Sequence, residues 1–117
     1  MTMPLKSIAA AIAVAAVSSP IQSPGSAASF SCMNYENMNA AEQMICDNHS
    51  LGALDERLDS WHRRAKIRAG YFDQTKWLRD AQAAWLAERN ACGFNVRCLK
   101  RAYRSRIRTL KDYVEHV

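Results

Sequence analysis

The chain has 117 residues, 49% of them hydrophobic and 23% charged, and a formal net charge of +5 at neutral pH. That length is room for one small domain and excludes an assembly of several. The charge is uneven: residues 29–59 hold one cation, Arg57, against Glu36, Glu42, Asp47, Asp55, Glu56 and Asp59, while residues 61–117 are strongly basic. Such polarity bears on partners and not on fold.

Residues 1–28 read as an export signal. Lys6 supplies the positive start, Ile8 to Val17 the apolar stretch, and Ser26-Ala27-Ala28 a small-residue cleavage site. The apolar stretch is too short to span a bilayer, and nothing later is long enough. Ser29-Phe30-Ser31 before Cys32 does not resemble a lipoprotein signal. A soluble exported product, periplasmic or secreted, is expected, with residues 29–117 forming a single domain.

Four cysteines then remain: Cys32, Cys46, Cys92 and Cys98. In an exported chain an even count reads as two disulfides, with three possible connectivities. The preferred pairing is Cys32–Cys46 with Cys92–Cys98, because both close short loops. The spacings do not match a zinc ribbon, so no metal is expected.

Residues 22–31 are rich in Ser, Pro, Gly and Ala and read as a signal tail or flexible end. Asn39 followed by Glu42 resembles a capping box, predicting a short helix from Ala40 to Asp47. Ser50 is then expected to cap a longer helix, reaching about Ala69. Its apolar seam is Leu51, Leu54, Leu58, Trp61 and Ala65, with Gly70 as the stop. Asp73 is expected to cap a helix from Gln74 to Ala91. Gly93 and Asn95 carry a turn into a last helix from Val96 to Tyr113. No alternating β-branched run appears, so no strands are predicted. The expected fold is all-α: a small antiparallel three-helix bundle preceded by a short N-terminal helix, stapled by two disulfides.

Two charges lie on the apolar stripes. Trp77, Ala81, Ala84, Trp85, Glu88 and Cys92 share about one third of a helical wheel. On the next helix Leu99, Tyr103, Ile107, Leu110 and Val114 share a face with Arg106 in its middle. Glu88 and Arg106 are therefore expected to form a partly buried pair. Asp55 borders the Leu51/Leu54/Leu58 seam and is expected to reach Arg89 or Arg106. Trp61, Trp77 and Trp85 should supply much of the core, each indole N–H needing a partner.

No residue is assigned a catalytic role. Asp55, Glu56 and Asp59 share a helix, but three convex helices offer no sugar groove for a carboxylate pair. Oxidised cysteines cannot attack. His49, His62 and His116 have no ligand-like spacing, and no cofactor is expected. The basic run Arg97, Lys100, Arg101, Arg104, Arg108 and Lys111 reads as a solvated face, with anionic lipid or glycan contact as the alternative and no nucleic acid. Trp85 and Arg89, one turn apart, suit cation–π stacking, with stacking on a sugar as the sharper alternative.

One family pattern runs through these positions. Leu78-Arg79, Gln82, Trp85-Leu86, Arg89, Cys92, then Cys98-Leu99, Tyr103, Arg106-Ile107 and Leu110 resemble the LprI-type domain. Upstream, Cys32, Glu42-Gln43-Met44-Ile45-Cys46 and Leu51-Gly52-Ala53-Leu54-Asp55 match its first half. The resemblance covers roughly residues 30–112, and Asp55 falls on the family's Leu-Asp position. It implies a non-catalytic binding protein that inhibits a lysozyme. Such an inhibitor must cover a carboxylate-lined cleft on an enzyme that is often basic outside. Asp47, Glu56 and Asp59 are the expected steering surface. The alternative is an envelope interaction or assembly protein with no effect on lysozyme.

Overall fold

The computed structural model describes residues 29–116; the export signal expected over residues 1–28 lies outside the described residues. A single 3₁₀ turn, Tyr35–Asn37, leads into four helices: α1 (Ala40–Asp47), α2 (His49–Tyr71), α3 (Thr75–Ala91) and α4 (Val96–Glu115). The described residues contain no strand.

Side chains at the helix ends explain most of the boundaries. At α1 the capping box is complete: Asn39 Oδ1 accepts the Glu42 backbone N–H at 2.9 Å, and Glu42 Oε1 accepts that of Asn39 at 3.2 Å. Asn48 both ends α1 and caps α2, its Oδ1 accepting the Leu51 backbone N–H at 3.0 Å. Ser50, expected as the cap, instead donates its hydroxyl to Asn48 Oδ1 at 2.8 Å and braces it. Asn95 caps α4 by accepting the Cys98 backbone N–H at 3.0 Å.

The α2–α3 corner departs from expectation. The helix passes through Gly70 and ends at Tyr71, and the left-handed residue is Asp73 at φ 56°. Asp tolerates that region because its short polar side chain bonds locally. The chain reverses there, and Gln74 N–H donates back to Ala69 O at 2.8 Å. Asp73 thus makes the turn and does not cap α3, which starts at Thr75 with no side-chain cap. At the α3–α4 turn Gly93 takes φ 59°, where a β-carbon would be strained.

The core is built mainly between α2 and α4, the most extensively packed pair. Leu51, Leu54, Leu58, Ala65 and Ala69 meet Leu99, Tyr103, Ile107 and Leu110, with Ala41 and Ile45 of α1 and Leu78 and Trp85 of α3 closing the sides. Each fully buried leucine contributes about 1.5–3 kcal/mol. Both disulfides are local, Cys32–Cys46 and Cys92–Cys98, with Cα separations of 6.0 and 5.6 Å. The first ties the N-terminal segment to α1, and the second clamps the α3–α4 turn.

The buried stripe of α3 is rotated from the expected one. Leu78, Trp85 and Arg89 are buried, whereas Ala84 and Glu88 face solvent and Trp77 is 55% exposed. α3 packs more sparsely against α2 than α4 does. Only a narrow strip of it is covered, centred on Leu78 and Trp85. Trp61 is half-buried, with the Arg64 guanidinium 4.2 Å from its ring centre. Of the three tryptophans, Trp85 alone belongs to the core.

Candidate functional site

The buried polar groups form one chain of contacts. Asp55, 2% exposed on α2, accepts the Tyr103 hydroxyl at 2.6 Å and the Ser29 backbone N–H. Arg89, 4% exposed on α3, donates Nη1–H to the Tyr103 oxygen at 3.4 Å. On its other side Arg89 Nη2 lies 3.6 Å from Glu42 of α1 and donates to Asn90 at 2.9 Å. Asp55 therefore reaches Arg89 through the tyrosine and not directly. A carboxylate and a guanidinium on opposite sides of one hydroxyl satisfy each other without a contact pair. Burial first, and then the neighbouring Asp55 carboxylate, push the Tyr103 hydroxyl far above its ordinary value. It stays protonated and donates.

Periodicity places Tyr103 on the buried stripe, but it does not name its hydroxyl as the bridge between Asp55 and Arg89. The available signal was a tyrosine in place of a phenylalanine on a buried stripe facing an aspartate, since a buried hydroxyl needs a partner. Trp85 completes the cluster, its ring edge-on to Tyr103 at 5.1 Å and its indole N–H donating to Ala102 O at 3.1 Å. Arg89 also lies 5.9 Å from the Trp85 ring centre, one helical turn away. Trp85, 6% exposed, has no face free for a sugar.

Glu88 and Arg106 do not form the expected close pair. Glu88 is exposed, and Arg106 Nε donates to Gln82 Oε1 at 3.1 Å. The rotation of α3 carries Glu88 off the interface and brings Gln82 onto it. Arg106 Nη2 is buried without a hydrogen-bond partner, and burial lowers the Arg106 pKa while Glu88 acts on it only through space. Gln82 also lines a groove of about 400 Å³ between α2 and α3, floored by Leu78 and Leu86 and edged by His62, Lys66 and Arg79.

The three acids expected to steer a partner are all at the surface, in different states. Asp47 accepts the Tyr35 hydroxyl at 2.6 Å. Asp59 is paired with Arg63 one turn on. Glu56 is exposed and has no ionic partner among the described residues. Screened by its partner, Asp59 projects less field than a free carboxylate, so Glu56 is the strongest of the set.

A second surface gathers at the end of the bundle where α2 stops, α3 starts and α4 stops. Ile67, Tyr71, Phe72 and Trp77 are 65%, 83%, 56% and 55% exposed. The ring of Trp77 packs on Tyr113 at 5.3 Å, and the Tyr113 hydroxyl donates to Gln74 at 2.5 Å. Arg68 lies across this group, its guanidinium 4.8 Å from the Phe72 ring centre and 5.8 Å from that of Tyr113. No carboxylate pairs with Arg68 among the described residues, and its Nε is buried without an acceptor. Aromatic rings and arginine are the residue types that carry most energy at protein interfaces.

All four cysteines are paired. Among the described residues no cluster of three or more His, Cys, Asp or Glu side chains is arranged to hold a metal ion. No helix among the described residues is long and apolar enough to cross a membrane. No protein-family model matches the chain, and no curated protein and no solved structure shows detectable similarity to it.

Proposed function

We propose that this chain is an exported, non-catalytic binding protein of the LprI type that inhibits a lysozyme. Arg68 carries the reading: a guanidinium 4.8 Å from the Phe72 ring centre and 5.8 Å from that of Tyr113, with no carboxylate paired to it among the described residues. A glycosidase cleft of the lysozyme kind presents two carboxylates and a lining shaped for sugar rings. A fixed arginine fits the first, because its planar fork matches a carboxylate with two parallel hydrogen bonds. Exposed rings such as Tyr71, Phe72 and Trp77 fit the second. Glu56, with Asp59 and Asp47, supplies the opposite charge that draws in an enzyme basic on its outside. The family resemblance supports the choice of lysozyme; the composition of the bundle end supports a protein partner.

The test is residual activity of a basic lysozyme titrated with residues 29–117. Inhibition is expected from the wild type, with Arg68→Ala and Phe72→Ala each weakening it at least tenfold, about 1.4 kcal/mol or more. Binding of another exported protein through the same end, with no effect on any lysozyme, would instead establish the envelope-interaction alternative.

A further inference from the structure

The outward face of α4 is not used by the packing or by the proposed lysozyme contact. Arg97, Arg101, Arg104, Arg108 and Lys111 recur along it at intervals of four and three residues, with Lys100 beside them. All but the half-buried Lys100 are exposed. From Val96 to Lys111 the helix holds no acidic residue, and none of these six cations has an ionic partner among the described residues. At a rise of about 1.5 Å per residue the ridge is about 20 Å long.

Local helix physics opposes this arrangement. Arg97 stands in the first turn, where the helix dipole favours acids, and the turn contains none. Arg97–Arg101, Lys100–Arg104 and Arg104–Arg108 are like-charged pairs one turn apart, which repel. Such a conflict between local preference and fold is characteristic of a functional surface. An extended anion laid along the ridge relieves all three repulsions together.

We infer that the α4 ridge is a binding surface for a linear anionic polysaccharide. Charge complementarity selects a polyanion. Two observations select its kind. From Val96 to Glu115 the ridge carries no exposed large apolar residue, and the exposed Phe94 just before it is a single ring, too little to seat the helix in a lipid interface or to form a stacking platform for nucleobases. The two disulfides belong to an oxidising compartment, outside the cytoplasm, where polyanionic glycans are the abundant extended anions. The inference is independent of the lysozyme reading, since it uses a different face and a different ligand.

The test compares three proteins by calorimetric titration with heparin and with polygalacturonate. These are wild type; a ridge variant with Arg97→Gln, Arg101→Gln, Arg104→Gln and Arg108→Gln; and a control with Arg57→Gln, Lys66→Gln, Lys76→Gln and Arg79→Gln. The control removes the same charge from exposed positions elsewhere. All eight positions are solvent-facing, and circular dichroism verifies that the variants fold. Wild type is expected to bind both glycans at about 50 mM salt, with affinity falling linearly in log salt, as counterion release requires. The ridge variant should bind at least about tenfold more weakly with a shallower salt slope, and the control within about twofold of wild type. Equal losses in ridge variant and control would overturn the site by reducing it to net charge. Absence of binding at low salt, tighter binding to duplex DNA or to anionic phospholipid vesicles than to either glycan, or salt-dependent self-association of the chain would each overturn the glycan assignment.

Discussion

The Tyr103 hydroxyl donates to Asp55 at 2.6 Å across 48 residues of sequence, joining α4 to α2 in the middle of the core. Neither group is exposed to water, so each depends on the other. Tyr103→Phe keeps the ring against Trp85 and removes only the hydroxyl. It leaves Asp55 and Arg89 facing each other without their bridge and is expected to cost about 1–3 kcal/mol. Asp55→Ala should cost on the order of 3 kcal/mol, because it strands a buried hydroxyl and a buried guanidinium together. Urea unfolding of the two single variants and the double variant checks this. Coupling between them close to zero would show that the bond contributes nothing.

The tryptophans should separate by position. Trp85→Ala removes a buried aromatic and is expected to destabilise by about 3–5 kcal/mol. Trp77→Ala loses one face of contact with Tyr113 and should cost under about 1 kcal/mol, in the range of surface substitutions. Thermal unfolding of both variants decides it, and equal losses would place Trp77 in the core against its exposure.

Removing either disulfide should act locally. The Cys32–Cys46 bridge joins residues 14 apart in sequence, a loop for which chain entropy gives about 3 kcal/mol. Replacing both cysteines by alanine should free the segment before α1 and raise amide exchange there, leaving α2 and α4 protected. Replacing Cys92 and Cys98 should loosen the α3–α4 turn. Peptide mapping of the unreduced protein checks the pairing itself, and a crosslink between Cys46 and Cys92 would refute it.

His62 predicts part of the acid response. Burial first, then Lys66 and Arg106, lower its pKa below the ordinary 6.5, with Asp59 opposing. The folded state therefore binds fewer protons than the unfolded one below about pH 6.5. Stability contributed by neutral His62 is present above that pH and is lost as pH falls toward the depressed folded value. His62→Gln should flatten the stability profile between about pH 6.5 and 5 and leave it unchanged at pH 8. Denaturation midpoints measured at those three pH values check the sign.

Much of the architecture was legible from local chemistry. The capping box of Asn39 and Glu42, the glycine at the α3–α4 turn, the 3-and-4 spacing of the α2 seam and the absence of strand patterns are nearest-neighbour properties. The structure keeps all of them. Disulfide pairing also followed from loop length. Each depends on residues within a few turns of one another, where the backbone leaves few alternatives.

Tertiary packing decided the rest. Which strip of α3 is buried depends on how far that helix rolls against α2 and α4. A roll of less than one residue's rotation brings Leu78 and Arg89 into the buried strip in place of Trp77 and Glu88 while keeping Trp85 there. With that roll Arg106 meets Gln82, and Asp55 finds Tyr103 before any arginine. Glu42 shows both levels at once: its capping role is local, while its approach to Arg89 at 3.6 Å requires α1 and α3 to be side by side. The aromatic end around Arg68 is likewise a product of topology, since α2, the corner and α4 contribute to it from positions distant in sequence. Helix periodicity names the apolar side of each element; only close packing among all of them selects the partners of the charged and aromatic groups at its edges.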